Sequence, residues 1–247
     1  MEERKIKEIE YYNKNTNQEL RERDFEGFDS FSLESYRFLK DFFIKNFKGK
    51  RILDFGCGNG IHTFWLQDYG EVIGIDLSDN SLNIARKIAK KAKFIKMDCE
   101  KLDFPDNSFD IVFDGGTFSS LDFDKALEEI IRVLKKDGTL VGIETLGHNP
   151  ILNLKRKLKR IAGKRTKWAE RHIFKINDFK KTKERFTLYN AYFFHLFSWI
   201  AFPFLDFKTG KNILEILQKM DSFFISLFPF LKKYSFKIVF VFKNPKK

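Results

Sequence analysis

The sequence of 247 residues has little cysteine, with only Cys57 and Cys99. Two cysteines cannot supply a four-cysteine zinc site or a framework of several disulfides. We therefore predict no metal site and a reducing compartment. Cys57 stands between glycines and is interpreted as a small residue in a turn.

The sequence also lacks a long, uninterrupted apolar run. Its most apolar stretch, residues 192–205, is broken by His195 and Pro203 and is followed by Asp206, whereas a spanning helix needs about 20 apolar residues. Residues 2–5 are charged, and no apolar signal-peptide core follows them. We therefore expect a cytoplasmic protein without a membrane span.

Acidic residues are scarce in the second part of the chain. Residues 149–247 contain 23 lysines and arginines against 6 acids, a net charge of +17, whereas residues 1–148 have a net charge of −5. Phenylalanine is concentrated there too, with 16 of 31 in the last 77 residues. This asymmetry predicts that the carboxy-terminal part faces the substrate or an anionic partner, such as a membrane surface or RNA.

What the sequence does contain is a glycine-rich stretch at residues 51–60, RILDFGCGNG. It predicts a buried strand, a turn and a helix over residues 61–68. Gly56, Gly58 and Gly60 lack Cβ atoms and permit positive φ, so a ligand can approach the backbone there. The first N–H groups of the helix favour the polar part of a nucleotide-like cofactor. A dinucleotide fingerprint would need glycine where residue 61 is isoleucine, which weakens the NAD interpretation.

Acids end each of the first four predicted strands. Asp54 ends the first strand, where its carboxylate can meet a cationic group. Asp76 ends the second strand 22 residues later, the spacing that brings an acid to ribose hydroxyls in a βαβ unit. Asp98 ends the third strand, and Asp114 ends the fourth, within residues 104–114.

In this order, the motifs resemble those of class I S-adenosylmethionine-dependent methyltransferases over residues 50–144. Residues 104–114, FPDNSFDIVFD, are similar to a segment of the quinone-biosynthesis methyltransferases. A predicted helix over residues 124–136 and a strand over residues 139–144 match the family pattern, with Asp137 in place of a glycine. The resemblance implies S-adenosyl-L-methionine as cofactor. It implies that Asp76 binds the ribose, Asp98 accepts from the adenine amino group and Cys99 flanks the ring. The cofactor-binding residues that it implies are Asp54, Gly56, Cys57, Gly58, Gly60, Asp76, Leu77, Asp98, Cys99 and Asp114.

The predicted fold is α/β, a Rossmann-like seven-stranded sheet flanked by helices, parallel except for an antiparallel strand seven. By the resemblance, strand seven lies between strands five and six. We expect residues 1–48 to form an amino-terminal lid and a leader helix, with Ser32 as its cap. Residues 49–148 are expected to form the cofactor-binding core, and residues 149–247 a basic, aromatic substrate and cap region. Strand six is predicted at residues 185–189 and strand seven at residues 235–243.

Two amphipathic helices are predicted in the basic part. The first begins at Ile151, and eight of the thirteen residues 155–167 are basic and none is acidic. The second carries a wide apolar stripe over residues 213–231, within a cap predicted for residues 191–233. The first helix could bind an anionic partner, which is a phosphate, a pyrophosphoryl lipid, a membrane surface or RNA, or it could be a solvated face. The stripe of the second helix could pack on its own domain or dip into a bilayer.

Methyl transfer from a sulfonium depends mainly on orientation in a site without water. An acceptor oxygen of high pKa also needs a general base. His148, which follows strand five, is the first candidate for this base, and His172, His195 and Asp114 are the others. His62 is interpreted as a helix-start residue.

The predicted function is methyl transfer to a small or lipid-linked acceptor, such as a prenyl quinone precursor, with a membrane surface as a candidate location. Residues 114–118 lack the Asn/Asp-Pro-Pro-aromatic motif of base-directed amino methyltransferases. Neither cysteine follows strand four or five, as cytosine-carbon methylation would require. A tRNA or rRNA methyltransferase and a non-catalytic cofactor-binding protein remain as alternatives.

Overall fold

The structure, a computed structural model, describes residues 2–15, 34–163, 165–204 and 208–247. The predicted cap Ser32 and most of the predicted lid lie outside the described residues. The strands are β1 (Lys50–Phe55), β2 (Gly70–Asp76), β3 (Lys93–Lys96), β4 (Phe109–Asp114), β5 (Leu134–Thr145), β6 (Phe186–Phe194) and β7 (Lys237–Pro245). The helices are α1 (Glu3–Asn15), α2 (Glu34–Asn46), α3 (Ile61–Leu66), α4 (Asp79–Ile88), α5 (Phe123–Val133), α6 (Pro150–Ile161), α7 (Lys167–Arg171), α8 (Ile176–Glu184) and α9 (Lys208–Leu227).

The seven strands form one sheet in the order β3-β2-β1-β4-β5-β7-β6. Strands β1 to β5 are parallel, and β7 is antiparallel to both of its neighbours, β5 and β6. The predicted Rossmann-like sheet with an antiparallel strand seven is therefore confirmed. The order changes direction between β1 and β4, and the carboxyl ends of strands at such a point form the ligand crevice of open α/β sheets.

Apolar side chains cover both faces of the sheet. On one face, the rings of Phe118, Phe174 and Phe240 pack together with their centroids 5.6–6.2 Å apart. On the other face, Phe43 of α2 packs against Trp65 of α3. The middle parts of β1, β4, β5 and β7 are buried between these layers and are mostly apolar, as expected for interior strands.

Several element boundaries differ from the prediction. Strand β6 extends to Phe194 rather than to residue 189, because it pairs with β7 along its whole length. Helix α5 ends at Val133 rather than at residue 136, since β5 begins at Leu134. Helix α3 ends two residues before the predicted end at residue 68.

The segment between β6 and β7 is helical. Helix α9 begins five residues before the predicted start at residue 213 and ends at Leu227, ahead of Pro229. Proline cannot continue a helix that needs its N–H, and here it begins a 3-10 helix, Pro229–Tyr234. Another 3-10 helix, Ser198–Phe204, precedes α9. Among the described residues, no helix combines the length and the apolar character that crossing a bilayer requires.

Candidate active site

A cavity opens at the carboxyl ends of β1, β2 and β4. Seven of the ten predicted cofactor residues line it: Gly56, Cys57, Gly58, Asp76, Leu77, Asp98 and Cys99. The other three, Asp54, Gly60 and Asp114, lie behind this lining. Helix α1 lines the opposite side through Lys5, Glu8, Ile9 and Tyr12, and residues 115–117 after β4 close one end. The cavity therefore lies where the sheet topology predicts it.

The three glycines of the turn after β1 serve different purposes. All three have positive φ, between 52° and 80°. A Cβ on Gly58 would meet no atom within 4 Å, so this glycine leaves open space for a ligand. A Cβ on Gly56 would lie 2.3 Å from Cγ2 of Thr117, and one on Gly60 would lie 2.8 Å from Cβ of Ala85. Gly56 and Gly60 are therefore also needed for packing.

Asp76 holds the turn and the next helix together. Its Oδ2 accepts a hydrogen bond from the N–H of Gly58 at 3.0 Å, and its Oδ1 accepts from the N–H of Ser78 at 2.8 Å. Ser78 caps α4 and donates its hydroxyl to Oδ1 of Asn13 in α1 at 2.7 Å. These contacts fix the carboxylate of Asp76 in the wall of the cavity.

Helix α1 is joined to this site by buried ion pairs that the sequence analysis missed. Arg4 donates to both carboxylate oxygens of Glu100, at 2.8 and 2.7 Å. Lys5 donates to Oδ2 of Asp98 at 2.6 Å and lies 2.9 Å from Glu100. Burial opposes ionisation of Glu100, but hydrogen bonds from Arg4, the N–H of Asp122 and Lys5 outweigh it and lower its pKa to about 2. Lys5 thus contacts the carboxylate of Asp98, which by the resemblance accepts a hydrogen bond from the adenine amino group.

Asp54 lies under the glycine turn, and the Thr63 hydroxyl donates to its Oδ2. Burial raises the pKa of Asp54 to about 7; the hydrogen bond from Thr63 opposes this rise, and the charge of Asp76 adds to it. The buried carboxyl group therefore changes its charge near neutral pH in the protein without a ligand.

This shift predicts a pH dependence of stability. A raised pKa stabilises the fold below about pH 4, the usual pKa of an unfolded aspartate, and the contribution is lost as the pH rises through about 7. We expect Asp54→Asn, measured by denaturant unfolding without cofactor, to lose less stability than the wild type between these pH values. The exposed Asp79→Asn is the control, and parallel curves for the wild type and Asp54→Asn would contradict the shift.

Asp114 and Glu144 form a buried carboxyl pair beneath residues 115–118. Oδ1 of Asp114 accepts from the N–H of Thr117 at 2.9 Å, and Oε1 of Glu144 accepts from the N–H of Phe118 at 2.8 Å. Burial, followed by the charge of Glu144, raises the pKa of Asp114 well above its usual value. The pair supports the loop that closes the cavity, while the catalytic role of Asp114 stays a prediction.

The structure separates the four histidines. His148 lies outside the cavity lining, and its Nε2 accepts from the N–H of Ile176 at 3.1 Å. His172 is exposed and stacks on Trp168. His195 is buried between the hydroxyls of Ser35 and Ser198, at 3.0 and 2.9 Å. The base role predicted for His148, with His172 and His195 as the other histidine candidates, gains no support from these positions.

His62 is the histidine that lines the cavity. It stacks on Tyr36 with a centroid distance of 5.8 Å, and its Cδ2 would lie 2.5 Å from a Cβ on Gly115. Burial, with a contribution from Lys237, lowers the pKa of His62 to about 3, so the ring is neutral at physiological pH. Its place in the first turn after the glycines was the signal that could have identified it.

Comparisons with known proteins show which sequences and folds this chain resembles. The family described as Methyltransferase domain matches residues 53–142. The demethylmenaquinone methyltransferase of Lactococcus lactis is 42% identical over 107 residues, which are 39% of this chain and 42% of that protein. That of Staphylococcus aureus is 36% identical over 127 residues, 48% of this chain and 52% of that protein. The chain thus spans about half the length of the curated relatives that it matches.

Solved structures share the fold over nearly the whole chain. A phosphoethanolamine N-methyltransferase of Haemonchus contortus, in complex with phosphomonomethylethanolamine and S-adenosylhomocysteine, has a TM-score of 0.64 at 19% identity. That alignment covers 97% of this chain and 60% of that chain. A TehB-like methyltransferase of Corynebacterium glutamicum has a TM-score of 0.57 at 21% identity and covers 96% of this chain and 98% of its own. Residues 53–142 are therefore similar to a methyltransferase domain, within a fold that the chain shares with S-adenosylmethionine-dependent methyltransferases of known structure.

Proposed function

We propose that the protein transfers the methyl group of S-adenosylmethionine to a small or lipid-linked acceptor at an anionic membrane surface. The observation that carries the first part is the cavity, where an open glycine turn faces carboxylates at two successive strand ends. The cofactor supplies a methyl group made electrophilic by the sulfonium charge. The resemblance and the matched relatives support the same reaction.

The residues of the cavity fit this cofactor. The open space at Gly58 accommodates a ligand beside the backbone, and Asp76 offers a fixed carboxylate for ribose hydroxyls. Asp98 stands one strand further, with Cys99 buried beside it. Glu8 and Tyr12 of α1 cover the cavity and help to exclude water from the reacting groups.

The acceptor is proposed to enter beside residues 115–117 and His62. A neutral ring of such low pKa is a weak base, so we assign His62 to positioning the acceptor rather than to removing its proton. An acceptor that is already nucleophilic, such as a hydroquinone anion or an amine, suits a site of this kind. The matched demethylmenaquinone methyltransferases suggest a prenyl hydroquinone as the first acceptor to test.

The test has two steps. Titration calorimetry should detect one binding site for S-adenosylhomocysteine per chain, and incubation of the protein with demethylmenaquinol and labelled cofactor should transfer label to the lipid fraction. Binding without transfer to any acceptor tested would favour the non-catalytic alternative. A chain that fails to bind S-adenosylhomocysteine would contradict the proposal as a whole.

Membrane contact is proposed from two apolar helix faces that point outward. In α6, Ile151, Leu154, Leu158 and Ile161 are 57–67% exposed and lie on one side of the helix. In α9, the exposed apolar residues are Ile213, Ile216, Met220, Phe223 and Leu227. The Asn149 cap of α6 donates to the carbonyl of Tyr234 at 3.2 Å, so α6 starts beside the segment that follows α9.

The charges around these faces favour an anionic bilayer as the occupant. Lys155, Lys157 and Lys159 are exposed on α6 next to the leucines. An interfacial helix buries its apolar side chains at the lipid boundary, while its lysines interact with anionic head groups. RNA would neutralise the lysines but would leave the leucines in water, which makes the tRNA or rRNA alternative the weaker one.

Vesicle sedimentation tests this contact. We expect binding to vesicles of phosphatidylglycerol and phosphatidylcholine, little binding to phosphatidylcholine alone, and at least about tenfold weaker binding for L154E/L158E, because each buried leucine contributes about 2 kcal/mol. Leu188→Glu is the matched control, since Leu188 is exposed to a similar degree but lies in β6. Equal loss of vesicle binding in L154E/L158E and in Leu188→Glu would contradict membrane contact through the apolar face of α6. Retention of L154E/L158E on RNA without any vesicle binding would support the RNA alternative.

A further inference from the structure

We propose that the acceptor carries an oxyanion, such as a phosphate or a carboxylate, and that the buried guanidinium groups of Arg156 and Arg165 bind it. This inference rests on the proposed function, because it concerns the acceptor of the same reaction.

Helix α6 has an inverted pattern of burial. Leu154 and Leu158 are more than half exposed, whereas Arg156, which lies between them in sequence, is only 7% exposed. Nη1 of Arg156 donates to Oδ1 of Asn153 at 2.7 Å, and Asn153 donates to the carbonyl of Gly147 at 3.0 Å, just after β5. Within the part of the chain that the structure describes, the buried Nη2 of Arg156 has no hydrogen-bond acceptor.

Arg165 also has a buried guanidinium nitrogen without a hydrogen-bond acceptor among the described residues. Its Nη2 donates to the carbonyl of Ala169 at 2.7 Å, while its buried Nε has no acceptor among the described residues. Thr166, the next residue, caps α7. Trp168 of α7 donates to the carbonyl of Leu121 at 3.3 Å, and Leu121 lines the cavity. Arg165 therefore lies in a segment that is attached to the cavity wall.

The two guanidinium groups lie close enough to affect each other. Burial, and then the charge of Arg165, lowers the pKa of Arg156 to about 10, and only Glu144 opposes this. Glu144 is itself engaged, since its two oxygens accept from the N–H groups of Phe118 and Thr145. No ion pair joins either guanidinium to a carboxylate within the described ranges.

A buried cation without a counter-ion is costly, because desolvation is not offset by a partner. Guanidinium groups bind phosphate and carboxylate through their N–H donors, and Nη2 of Arg156 and Nε of Arg165 are donors that have no acceptor among the described residues. The two buried carboxylate oxygens of Glu8 accept no hydrogen bond from the described residues. Glu8 interacts electrostatically with Arg165 and is therefore the competing partner for its guanidinium. An oxyanion of the acceptor between Arg156 and Arg165 would accept hydrogen bonds from both guanidinium groups. These bonds would fix the position of the acceptor relative to the cavity.

The experiment titrates inorganic phosphate, and separately acetate, into the full chain saturated with S-adenosylhomocysteine. We expect one phosphate site in the wild type and at least about tenfold weaker binding in Arg156→Met and Arg165→Met, with partial recovery in Arg156→Lys. Lys87→Met, which removes an exposed cation of α4, is the control and should bind as the wild type does. Tighter binding of acetate than of phosphate would identify a carboxylate acceptor.

Absence of saturable binding of either anion to the wild type, or equal weakening of that binding by Lys87→Met, would overturn the proposal. Phosphate binding that is unchanged in Glu8→Gln would show that Glu8 does not compete for Arg165. Phosphate binding that appears only in Glu8→Gln would show that Arg165 pairs with Glu8 in the wild type, and it would overturn the proposed anion site. S-Adenosylhomocysteine affinity is measured first for every variant, which verifies folding. A wild-type protein that does not bind S-adenosylhomocysteine would contradict the proposed function as well as this anion site.

Discussion

Replacement of Asp76 by alanine is expected to weaken S-adenosylhomocysteine binding by at least about 100-fold. Two charge-assisted hydrogen bonds to ribose hydroxyls would be lost, at about 1.5–3 kcal/mol each, and 100-fold corresponds to about 2.7 kcal/mol. The N–H groups of Gly58 and Ser78 would also lose their acceptor, which loosens the turn that forms the cavity. Titration calorimetry at constant pH measures the change.

Asp79→Ala is the matched control for this variant. Asp79 lies three residues further along the chain and forms an exposed ion pair with Lys96, so its loss should leave the affinity within about twofold of the wild type. An Asp76→Ala protein that is folded and binds S-adenosylhomocysteine normally would show that the ribose does not lie at the end of β2.

Arg4→Met is expected to lower the free energy of unfolding by about 3 kcal/mol. The Glu100 side chain is 1% exposed, and removal of one partner of a buried ion pair leaves a charge that burial penalises. Lys5 remains beside Glu100, which keeps the loss at the lower end of the usual range of about 3–5 kcal/mol. The guanidinium also lies 4.3 Å from the ring centroid of Trp168, so its contact with α7 is lost as well.

Lys7→Met provides the comparison within the same helix. Lys7 pairs with Glu3 on the surface, and an exposed pair contributes less than about 1 kcal/mol. Urea unfolding of both variants measures the difference. Similar small effects would show that α1 is not anchored through Glu100, and cofactor affinity should then be insensitive to Arg4.

The sheet could be predicted from the sequence because its signals are local. Short, mostly apolar stretches end in an acid at Asp76 and Asp114, and glycines follow Asp54 at fixed spacing. The antiparallel position of β7 came from the family resemblance, and the structure confirms it. Most of the predicted cofactor residues line the cavity for the same reason, since the ends of parallel strands meet at one edge.

The contacts of α1 with the cavity could not be predicted from local sequence patterns. Arg4 and Glu100 are 96 residues apart, and a charged segment near the start of the chain has no pattern that names its partner. The inverted burial of α6 is similar, because leucines at helical spacing predict a buried stripe whereas the structure buries Arg156 instead. Strand order suggested His148 as the base, and the structure places His148 outside the cavity lining, whereas His62 lines the cavity and stacks on Tyr36.

The interior position of β7 has a consequence for synthesis of the protein. The amino end of the chain leaves the ribosome first during translation. Strands β1 to β5 therefore emerge long before residues 237–245 can pair between β5 and β6. Until then, β5 presents an unpaired apolar edge that could join another nascent chain. A message that stops translation shortly before residue 237 would therefore yield an aggregating product and not a smaller, working enzyme.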